Sequence, residues 1–320
     1  MSTPQVVITH LISPAAETML REAGLAVVAR HDESPPPRSE VLQMIAGANA
    51  VLTVLSVKVD DEFLAAAGPG LRIVANYAVG FDNIDVAACG RRGVRASNTP
   101  GVLTEATADI AWSLILSTAR RVIEGDRIVR TGQWQGWKPT ELLGLELSGA
   151  TLGVIGAGRI GCATARRSSG FNMRVVYSHP RAVPELDGPL AARRVELDEL
   201  LRTSDIVSLH VPFRPENRHM LDARRLALLR DGALLINTAR GSLIDEAALV
   251  RELSTGRIRA GLDVYEFEPR LSPGLAELPN VVLLPHLGSA THATRRAMAR
   301  LAAENILAVL SGREPVTPIA

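Results

Sequence analysis

Three side chains in the second half of the chain are suited to one reaction. Arg240 lies in the segment Asn-Thr-Ala-Arg-Gly, Glu268 directly precedes a proline, and His286 lies in Pro-His-Leu-Gly-Ser-Ala. A guanidinium group can hold a carboxylate through a planar, two-point contact and polarise a neighbouring carbonyl. An imidazole can deliver a proton at neutral pH, and a glutamate bonded to it would fix its orientation. These residue types are the ones that reduction of a 2-oxo acid requires, whereas taken singly each would be read as an ordinary surface or loop residue.

A glycine-rich turn predicts a dinucleotide site. An apolar strand runs directly into Gly156-Ala-Gly158-Arg159-Ile160-Gly161. In such a turn the first glycine permits the tight bend, the second lets the backbone approach a pyrophosphate, and the third lets the helix pack on the strand. Backbone N–H groups at the start of the helix then face the phosphates. The spacing alone also fits a simple glycine turn, but the strand before it and the βαβ series after it favour a dinucleotide.

The end of the next strand bears on which dinucleotide is bound. About 20 residues beyond the turn, an acidic side chain would hold the ribose 2′-OH of NAD(H). Here the strand ends in Tyr-Ser178-His179-Pro-Arg181, and no carboxylate occurs before Glu185. These side chains can donate hydrogen bonds to a 2′-phosphate, which a carboxylate would repel. We therefore expect NADP(H) to be preferred; the alternative is that Arg181 is a solvated loop residue and NAD(H) is used.

The elements that must position these residues alternate between strand and helix. Short apolar runs at residues 5–9, 25–29, 50–55 and 71–75 are typical of buried parallel strands, with helix-like stretches between them. A second series of about six strands begins at residue 150, at 151–155, 174–177, 206–209, 233–237, 260–264 and 281–284. This alternation predicts an α/β protein with two Rossmann-like, doubly wound parallel-sheet domains. All three candidate catalytic residues follow strands of the second series, at the edge where ligands bind.

Two points along the chain mark the domain boundaries. The segment Asn-Thr-Pro-Gly at residues 98–101 is a strong breaker, and one long helix is predicted from about Leu103 to Arg130. The last helical stretch, residues 289–310, has no sheet of its own and is expected to pack on the N-terminal domain. The NAD(P)-binding domain, residues 100–288, is thus predicted to be inserted within a flavodoxin-like substrate domain made of residues 1–99 and 289–320, with a cleft between them.

Composition excludes several classes of partner. The 35 basic and 34 acidic residues give a net charge of +1, which offers no general attraction to nucleic acid or to an anionic membrane. Cys89 and Cys162 are too few for a disulfide scaffold or a cysteine-based zinc site, so no metal is expected. No signal-peptide pattern or apolar run of roughly 20 residues is present. We expect a cytoplasmic protein.

Taken together, the motifs resemble the D-isomer-specific 2-hydroxyacid dehydrogenase family, nearest its glyoxylate and hydroxypyruvate reductase branch. Besides the glycine turn and the three catalytic motifs, the resemblance rests on Val-Gly-Phe-Asp-Asn-Ile-Asp at residues 79–85, Asn-Thr-Pro at 98–100 and Thr-Glu-Ala-Thr-Ala-Asp at 104–109. It covers essentially the whole chain. It implies Arg240, Glu268 and His286 as the catalytic group, a homodimer, and reduction of a small 2-oxo acid such as glyoxylate or hydroxypyruvate to the D-2-hydroxy acid.

The resemblance also implies ligand contacts. Leu55 would border the substrate pocket, and the backbone N–H groups of Val79 and Gly80 would reach the substrate carboxylate beside Arg240 and His286. Asp263 would hold the nicotinamide carboxamide and Thr107 would approach the cofactor from the helix after the first domain, while a purely structural role is equally open for His210. The candidate cofactor-binding residues are Thr107, Gly156, Gly158, Arg159, Ile160, Gly161, Ser178, His179, Arg181, His210, Pro212, Thr238, Ala239, Arg240, Asp263, His286 and Gly288.

Trp137 is a candidate substrate-binding residue of a different kind. In the glyoxylate reductase branch a similar Trp-x-Pro element reaches across the dimer to the partner's pocket, and this chain has Trp-Lys-Pro at residues 137–139. The resemblance therefore implies that Trp137 shapes the choice of substrate. Plain packing at the dimer interface is the alternative.

Two other functions use the same fold. One is a redox-sensing corepressor that binds NAD(H) without turnover, which the intact set of Arg240, Glu268 and His286 disfavours. The other is a dehydrogenase of the formate or phosphite type. Formate oxidation needs no acceptor for an alkoxide proton, so Glu268 argues against formate and less strongly against phosphite. Longer 2-oxo acids such as 2-ketogluconate also remain open as substrates.

Overall fold

The computed structural model describes residues 3–319, and its chain divides into two compact units. The first unit consists of the residues up to Leu103 and those from Ser289 onward, and the second is Thr104–Gly288. The chain thus enters the second unit at residue 104, just after the breaker at residues 98–101. The chain returns to the first unit at Ser289, so the second unit is an insertion in the first.

The first unit is built on a five-stranded parallel sheet. Its strands are β1 (Gln5–Ile8), β2 (Ala26–Ala29), β3 (Ala50–Thr53), β4 (Ile73–Asn76) and β5 (Arg95–Ser97), in the order β2-β1-β3-β4-β5. This is the flavodoxin-like order. All residues of β3 and β4 are buried, as expected for parallel strands covered on both faces.

Five helices cover this sheet. They are α1 (Ala15–Glu22), α2 (Arg38–Met44), α3 (Asp61–Ala67), α4 (Val86–Arg91) and, from the end of the chain, α12 (His292–Leu310). Asp60 and Asp85 cap α3 and α4 by accepting backbone N–H groups of the first turn. The last helix contacts α1, β3 and β4, and so completes one face of the first sheet.

The second unit is built on a seven-stranded sheet. The strands are β6 (Thr151–Ile155), β7 (Arg174–Ser178), β8 (Arg193–Arg194), β9 (Ile206–Leu209), β10 (Leu234–Asn237), β11 (Arg259–Leu262) and β12 (Val281–Leu283). Their order is β12-β11-β10-β9-β6-β7-β8, which is the Rossmann order with one further strand. The predicted pair of doubly wound parallel sheets is thereby confirmed. The prediction of about six strands missed β8, which is two exposed arginines.

Seven helices belong to the second unit: α5 (Thr104–Ala119), α6 (Val122–Arg130), α7 (Arg159–Arg167), α8 (Pro184–Asp187), α9 (Leu197–Thr203), α10 (Ala223–Leu226) and α11 (Glu246–Ser254). The prediction of one long helix from Leu103 to Arg130 was wrong. The helix breaks at Arg121, whose backbone is left-handed with φ of 53°. As a result α5 is buried in the core, whereas no side chain of α6 is buried.

A membrane or a metal ion as partner would each require a specific structural feature in residues 3–319. No helix there is long and apolar enough to cross a membrane. Likewise, that part of the chain contains no cluster of His, Cys, Asp and Glu side chains with the arrangement of a metal site.

Candidate active site

Two of the three glycines of the turn after β6 are required by close contacts within the protein, and the third lies beside open space. Gly156 has φ of 91°, and a Cβ there would lie 2.6 Å from Val211 Cγ1. A Cβ on Gly161 would lie 2.0 Å from the carbonyl oxygen of Gly156, so only glycine lets α7 pack this close to the turn. A Cβ on Gly158, by contrast, would meet no atom within 4 Å. The open side of Gly158 is where backbone at the start of α7 can meet a phosphate.

The residues around this turn fit a dinucleotide. Arg159 and Ile160 are the first two residues of α7, so their N–H groups belong to the helix end that favours anions. At the same edge of the sheet, after β10, the hydroxyl of Thr238 is buried and has no protein partner among the described residues. A buried hydroxyl without a partner is costly, and a polar ligand group would satisfy it.

The end of β7 and the loop that follows it, residues 178–184, contain no acidic residue. Ser178 and His179 are partly exposed and Arg181 is exposed. The nearest acidic residues along the chain are engaged elsewhere: Glu185 pairs with Arg166, and Asp187 accepts a hydrogen bond of 2.7 Å from the Tyr177 hydroxyl.

Arg194, which the sequence analysis did not single out, holds this loop. Its guanidinium donates to the carbonyl oxygens of His179 at 2.9 Å and Pro180 at 3.0 Å. The loop is also fixed from within, because the Tyr177 hydroxyl accepts the N–H of Val183 at 3.0 Å. The backbone beneath Ser178, His179 and Arg181 is therefore held in one conformation.

Arg240 follows β10 in a loop that a buried asparagine organises. The side chain of Asn237 donates to the carbonyl oxygen of Arg240 at 2.9 Å and accepts the N–H of Ala239 at 3.0 Å. The Arg240 guanidinium in turn donates to the carbonyl oxygen of Ala239 at 2.8 Å. Gly241 lies against the next catalytic loop, since a Cβ there would be 1.8 Å from the backbone carbon of Tyr265. The loop with Arg240 and the loop with Glu268 are thus in direct contact.

Glu268 and His286 form a hydrogen-bonded pair. Nδ1 of His286 lies 2.9 Å from Oε2 of Glu268, while Oε1 of Glu268 accepts the N–H of Tyr265 at 3.0 Å. Burial acts to raise the pKa of Glu268, but the bond to His286, the charge of the imidazolium, the Tyr265 N–H and the charge of Arg240 outweigh it, so the net pKa is lowered. Glu268 is consequently ionised at neutral pH.

Asp263 holds the backbone that carries His286. It is fully buried, and its two oxygens accept the N–H groups of Leu287 at 2.6 Å and Gly288 at 2.8 Å. The backbone N–H of His286 is bonded to the carbonyl oxygen of Asp263 at 3.0 Å, and His286 itself has φ of 57°. Burial raises the pKa of Asp263, opposed by these N–H groups. Thr107 supports the same segment by donating to the carbonyl oxygen of Gly288 at 3.0 Å.

His210 is a neutral ring in this structure. Burial lowers its pKa to about 3, and its Nε2 lies 2.9 Å from the Ser208 hydroxyl. Its backbone N–H donates to the carbonyl oxygen of Ile155, which places it directly beneath the glycine turn. Pro212, two residues further on, is exposed.

The structure therefore brings Arg240, Glu268 and His286 to one edge of the second sheet, together with the glycine turn. Leu55, Val79 and Gly80 belong to the first unit, and their contact with substrate stays a prediction. Trp137 is 83% exposed. Arg194 belongs to no motif that would have identified it, because it binds the backbone of another segment. Asn237 begins the Asn-Thr-Ala-Arg-Gly segment, but the sequence alone did not show that its side chain organises this loop.

These features define a dinucleotide-binding α/β oxidoreductase with an arginine, a glutamate and a histidine at the ligand edge of its sheet. Residues 112–288 match the family model of the NAD-binding domain of D-isomer specific 2-hydroxyacid dehydrogenases. The chain belongs to this family, as its sequence predicted.

Relatives of known structure or activity agree over the whole chain. The glyoxylate reductase of Thermococcus litoralis is 44% identical over 317 residues, covering 98% of this chain and 95% of that protein. The TT0316 protein of Thermus thermophilus superposes with a TM-score of 0.92 at 45% identity, covering 99% and 100% of the two chains. The NADPH-dependent glyoxylate/hydroxypyruvate reductase of Sinorhizobium meliloti, solved in complex with NADP and malonate, superposes with a TM-score of 0.88 at 34% identity, covering 100% and 97%.

Proposed function

We propose that this protein reduces a small 2-oxo acid, with glyoxylate and hydroxypyruvate as first substrates, to the D-2-hydroxy acid using NADPH. The observation that carries the proposal is the hydrogen-bonded pair of Glu268 and His286 beside the loop of Arg240. Relatives described as glyoxylate reductases support the choice of substrate. The intact pair disfavours a corepressor without turnover and a formate-type oxidase.

Each residue of the candidate active site would have a separate role in the reduction. When bound, the reduced nicotinamide supplies a hydride to C2 of the substrate. Arg240 would hold the substrate carboxylate and draw electron density toward the carbonyl oxygen, which stabilises the developing alkoxide. His286 would give its proton to that oxygen, and ionised Glu268 favours the protonated form of the ring before transfer. The N–H groups of Val79 and Gly80, with Leu55, would complete the substrate pocket from the first unit.

The dinucleotide would be held along the edge of the second sheet. Gly156, Gly158 and Gly161 with the N–H groups of Arg159 and Ile160 would hold the pyrophosphate. The nicotinamide end would lie near Thr238, Ala239, Asp263, Gly288 and Thr107, and the adenosine end near His210 and Pro212. Ser178, His179 and Arg181 would bind a 2′-phosphate, because the neighbouring acidic side chains of Glu185 and Asp187 are engaged with other partners.

A homodimer is proposed on the exposed apolar surface of the second unit. Val122, Ile123 and Val129 of α6 are each at least half exposed, as are Trp134 and Trp137 in the segment that follows. Aromatic and aliphatic side chains exposed together are typical of protein interfaces. In such a dimer Trp137 would reach the partner's pocket and shape the choice of substrate. Trp137→Ala should then shift the ratio of kcat/KM for hydroxypyruvate over glyoxylate.

A substrate panel tests the function. Oxidation of NADPH and NADH is followed at 340 nm with glyoxylate, hydroxypyruvate, pyruvate and 2-ketogluconate, and the configuration of the product is determined. We expect turnover with the first two and a higher kcat/KM for NADPH. His286→Gln should lower kcat by about 10²-fold or more, while the exposed His31→Gln serves as a matched control. Full activity of His286→Gln would refute the mechanism.

A further inference from the structure

A surface cavity of about 650 Å³, open to solvent, lies within the first unit, and none of the residues assigned above lines it. It is lined by Ser13, Pro14, Ala290, Thr291, His292, Arg295 and Arg296. Its volume falls in the range of small-molecule sites in proteins. Two of its lining side chains are permanently charged guanidinium groups, and no carboxylate is among the lining residues.

The two arginines of this cavity have no acidic partner among the described residues. In the part of the chain that the structure describes, no Asp or Glu oxygen lies within ion-pair distance of Arg295 or Arg296. Many other arginines of the chain, such as Arg166 and Arg167, have such partners. Two adjacent guanidinium groups facing a cavity without a compensating charge create a local positive potential. An anion in the cavity would neutralise that potential.

Arg295 is also held in place before any ligand binds. Its guanidinium carbon lies 5.9 Å from the centre of the Tyr77 ring, a cation–π distance, and Tyr77 is almost fully buried. The Tyr77 hydroxyl donates to the carbonyl oxygen of Arg295 at 2.5 Å, which fixes the first turn of α12 on the residue that follows β4. A planar guanidinium fixed on an aromatic face is arranged for directional contacts with an oxyanion.

Two helices begin at the wall of the same cavity. Thr291 is the N-cap of α12 and uses its hydroxyl to accept the N–H of Thr294 at 3.1 Å, so other N–H groups of the first turn remain available. Pro14 precedes α1 and provides no side-chain cap. Both helix N-termini add partial positive charge to that of the arginines. The Ser13 hydroxyl, also on the wall, is a further donor.

From the cationic cavity, the fixed Arg295 and the lack of an acidic partner for either arginine within residues 3–319, we infer a binding site for a doubly charged tetrahedral oxyanion, either free phosphate or the phosphate group of a monoester. Two guanidinium groups match two negative charges, and the donors at the helix ends match further oxygens. The volume leaves room for an organic group beyond the phosphate. This site is additional to the proposed 2-oxo acid site, which depends on Arg240 and His286.

Titration calorimetry of the full chain at constant ionic strength tests the inference, with inorganic phosphate and methyl phosphate as probes and chloride as the monovalent reference. We expect saturable binding of phosphate, and affinity reduced about tenfold or more in Arg295→Gln and in Arg296→Gln. Arg300→Gln, on the same helix but outside the cavity, is the matched control. Binding of methyl phosphate identifies a monoester group as a ligand, and binding of inorganic phosphate alone identifies the free ion.

Three results would overturn the site. One is the absence of saturable binding for both probes, and another is equal loss of affinity in Arg300→Gln. The third is loss of binding in Arg240→Gln with retention in Arg295→Gln, which would place the ion at the proposed active site instead. Arg296 is exposed, so Arg296→Gln keeps the test valid if Arg295→Gln fails to fold. Phosphate binding does not depend on reductase activity, so the two proposals can fail separately.

Discussion

In the pair of Glu268 and His286, the proposed proton donor is hydrogen-bonded to a carboxylate that stays charged. The pKa of Glu268 in the folded chain is lowered from the ordinary value of a glutamate, about 4.3. A group of this kind stabilises the fold above the unfolded pKa, and the contribution is lost only as the pH falls through the lowered value. From about pH 5 upward, therefore, Glu268 remains an anion that is hydrogen-bonded to the ring of His286.

Replacing Glu268 by glutamine should consequently change the pH dependence of reduction. Glutamine carries no charge, so kcat/KM should fall by about 10-fold to 10²-fold above pH 5, and the difference from the parent should narrow only as the pH falls through the lowered pKa of Glu268 and the parent's carboxylate becomes neutral as well. The profile is measured with glyoxylate and NADPH. Glu277→Gln, an exposed change of the same type, should follow the parent. Equal kcat/KM values for Glu268→Gln and the parent across this pH range would contradict the coupling.

The contacts that Asp263 makes in the structure differ from the contact that the family resemblance implies for it. The family resemblance implies a contact between Asp263 and the nicotinamide carboxamide, and the structure shows both of its oxygens bonded to the backbone directly after His286. In Asp263→Asn one backbone N–H would face an NH₂ group, and a buried donor left without an acceptor costs about 1–3 kcal/mol. The segment with His286 should shift as a result.

The kinetic parameters of Asp263→Asn separate the two roles. If Asp263 mainly positions His286, kcat should fall about tenfold or more while the KM for NADPH changes little. If its main contact is the carboxamide, the KM for NADPH should rise instead, and the positioning role would be refuted. Asp231→Asn, an exposed change in the same unit, is the control.

At the scale of the elements, a strand, turn or helix could be predicted from the sequence where the residues that specify it are neighbours along the chain. The strand, glycine turn and helix at residues 151–167 are specified by neighbouring residues, so they were found. Arg240, Glu268 and His286 each follow a strand of one parallel sheet, and the carboxyl ends of such strands meet at one edge. The sequence therefore predicted that these three side chains lie at the same edge of the sheet, although it gives no distances between them.

Elements without a local signal were missed for physical reasons. Strand β8 consists of Arg193 and Arg194, which have neither apolar alternation nor β-branching. The break between α5 and α6 falls at two arginines with no glycine or proline, so no residue type in the sequence indicates the left-handed backbone of Arg121. The contact of Arg194 with the loop at residues 179–180 likewise depends on tertiary structure.

The position of Arg194 in β8 leads to a prediction about the choice of cofactor. Arg194 binds the backbone under the residues proposed to hold the 2′-phosphate, so Arg194→Gln should loosen that loop. The KM for NADPH should rise roughly threefold to tenfold, whereas the KM for NADH, which has no 2′-phosphate, should change little. Arg193→Gln is the adjacent control, since Arg193 pairs with Glu199 instead. Equal changes in both KM values would argue against a loop specific for the phosphate.

At the scale of the whole molecule, the exposed apolar side chains of α6 and of the segment after it are not accounted for by packing within a single chain. No side chain of α6 is buried, yet Val122, Ile123 and Val129 are apolar and at least half exposed. Trp134 and Trp137 extend this apolar surface along the chain. Burial of such a surface against a second copy would be favourable at about 25 cal/mol per Å² of apolar area, before the costs of association. A two-fold dimer through this surface is the simplest arrangement.

Charge placed on this surface should therefore prevent association. The parent chain should sediment at twice its mass of 34.2 kDa, and Ile123→Glu combined with Val129→Glu should sediment at the monomer mass at micromolar concentration. Val316→Glu, an exposed apolar position in the first unit, is the matched control and should remain dimeric. Because the proposed pocket of one copy includes Trp137 from the other, the monomeric variant should also show a changed KM for hydroxypyruvate. A parent chain that sediments as a monomer would contradict both the dimer and the role of Trp137.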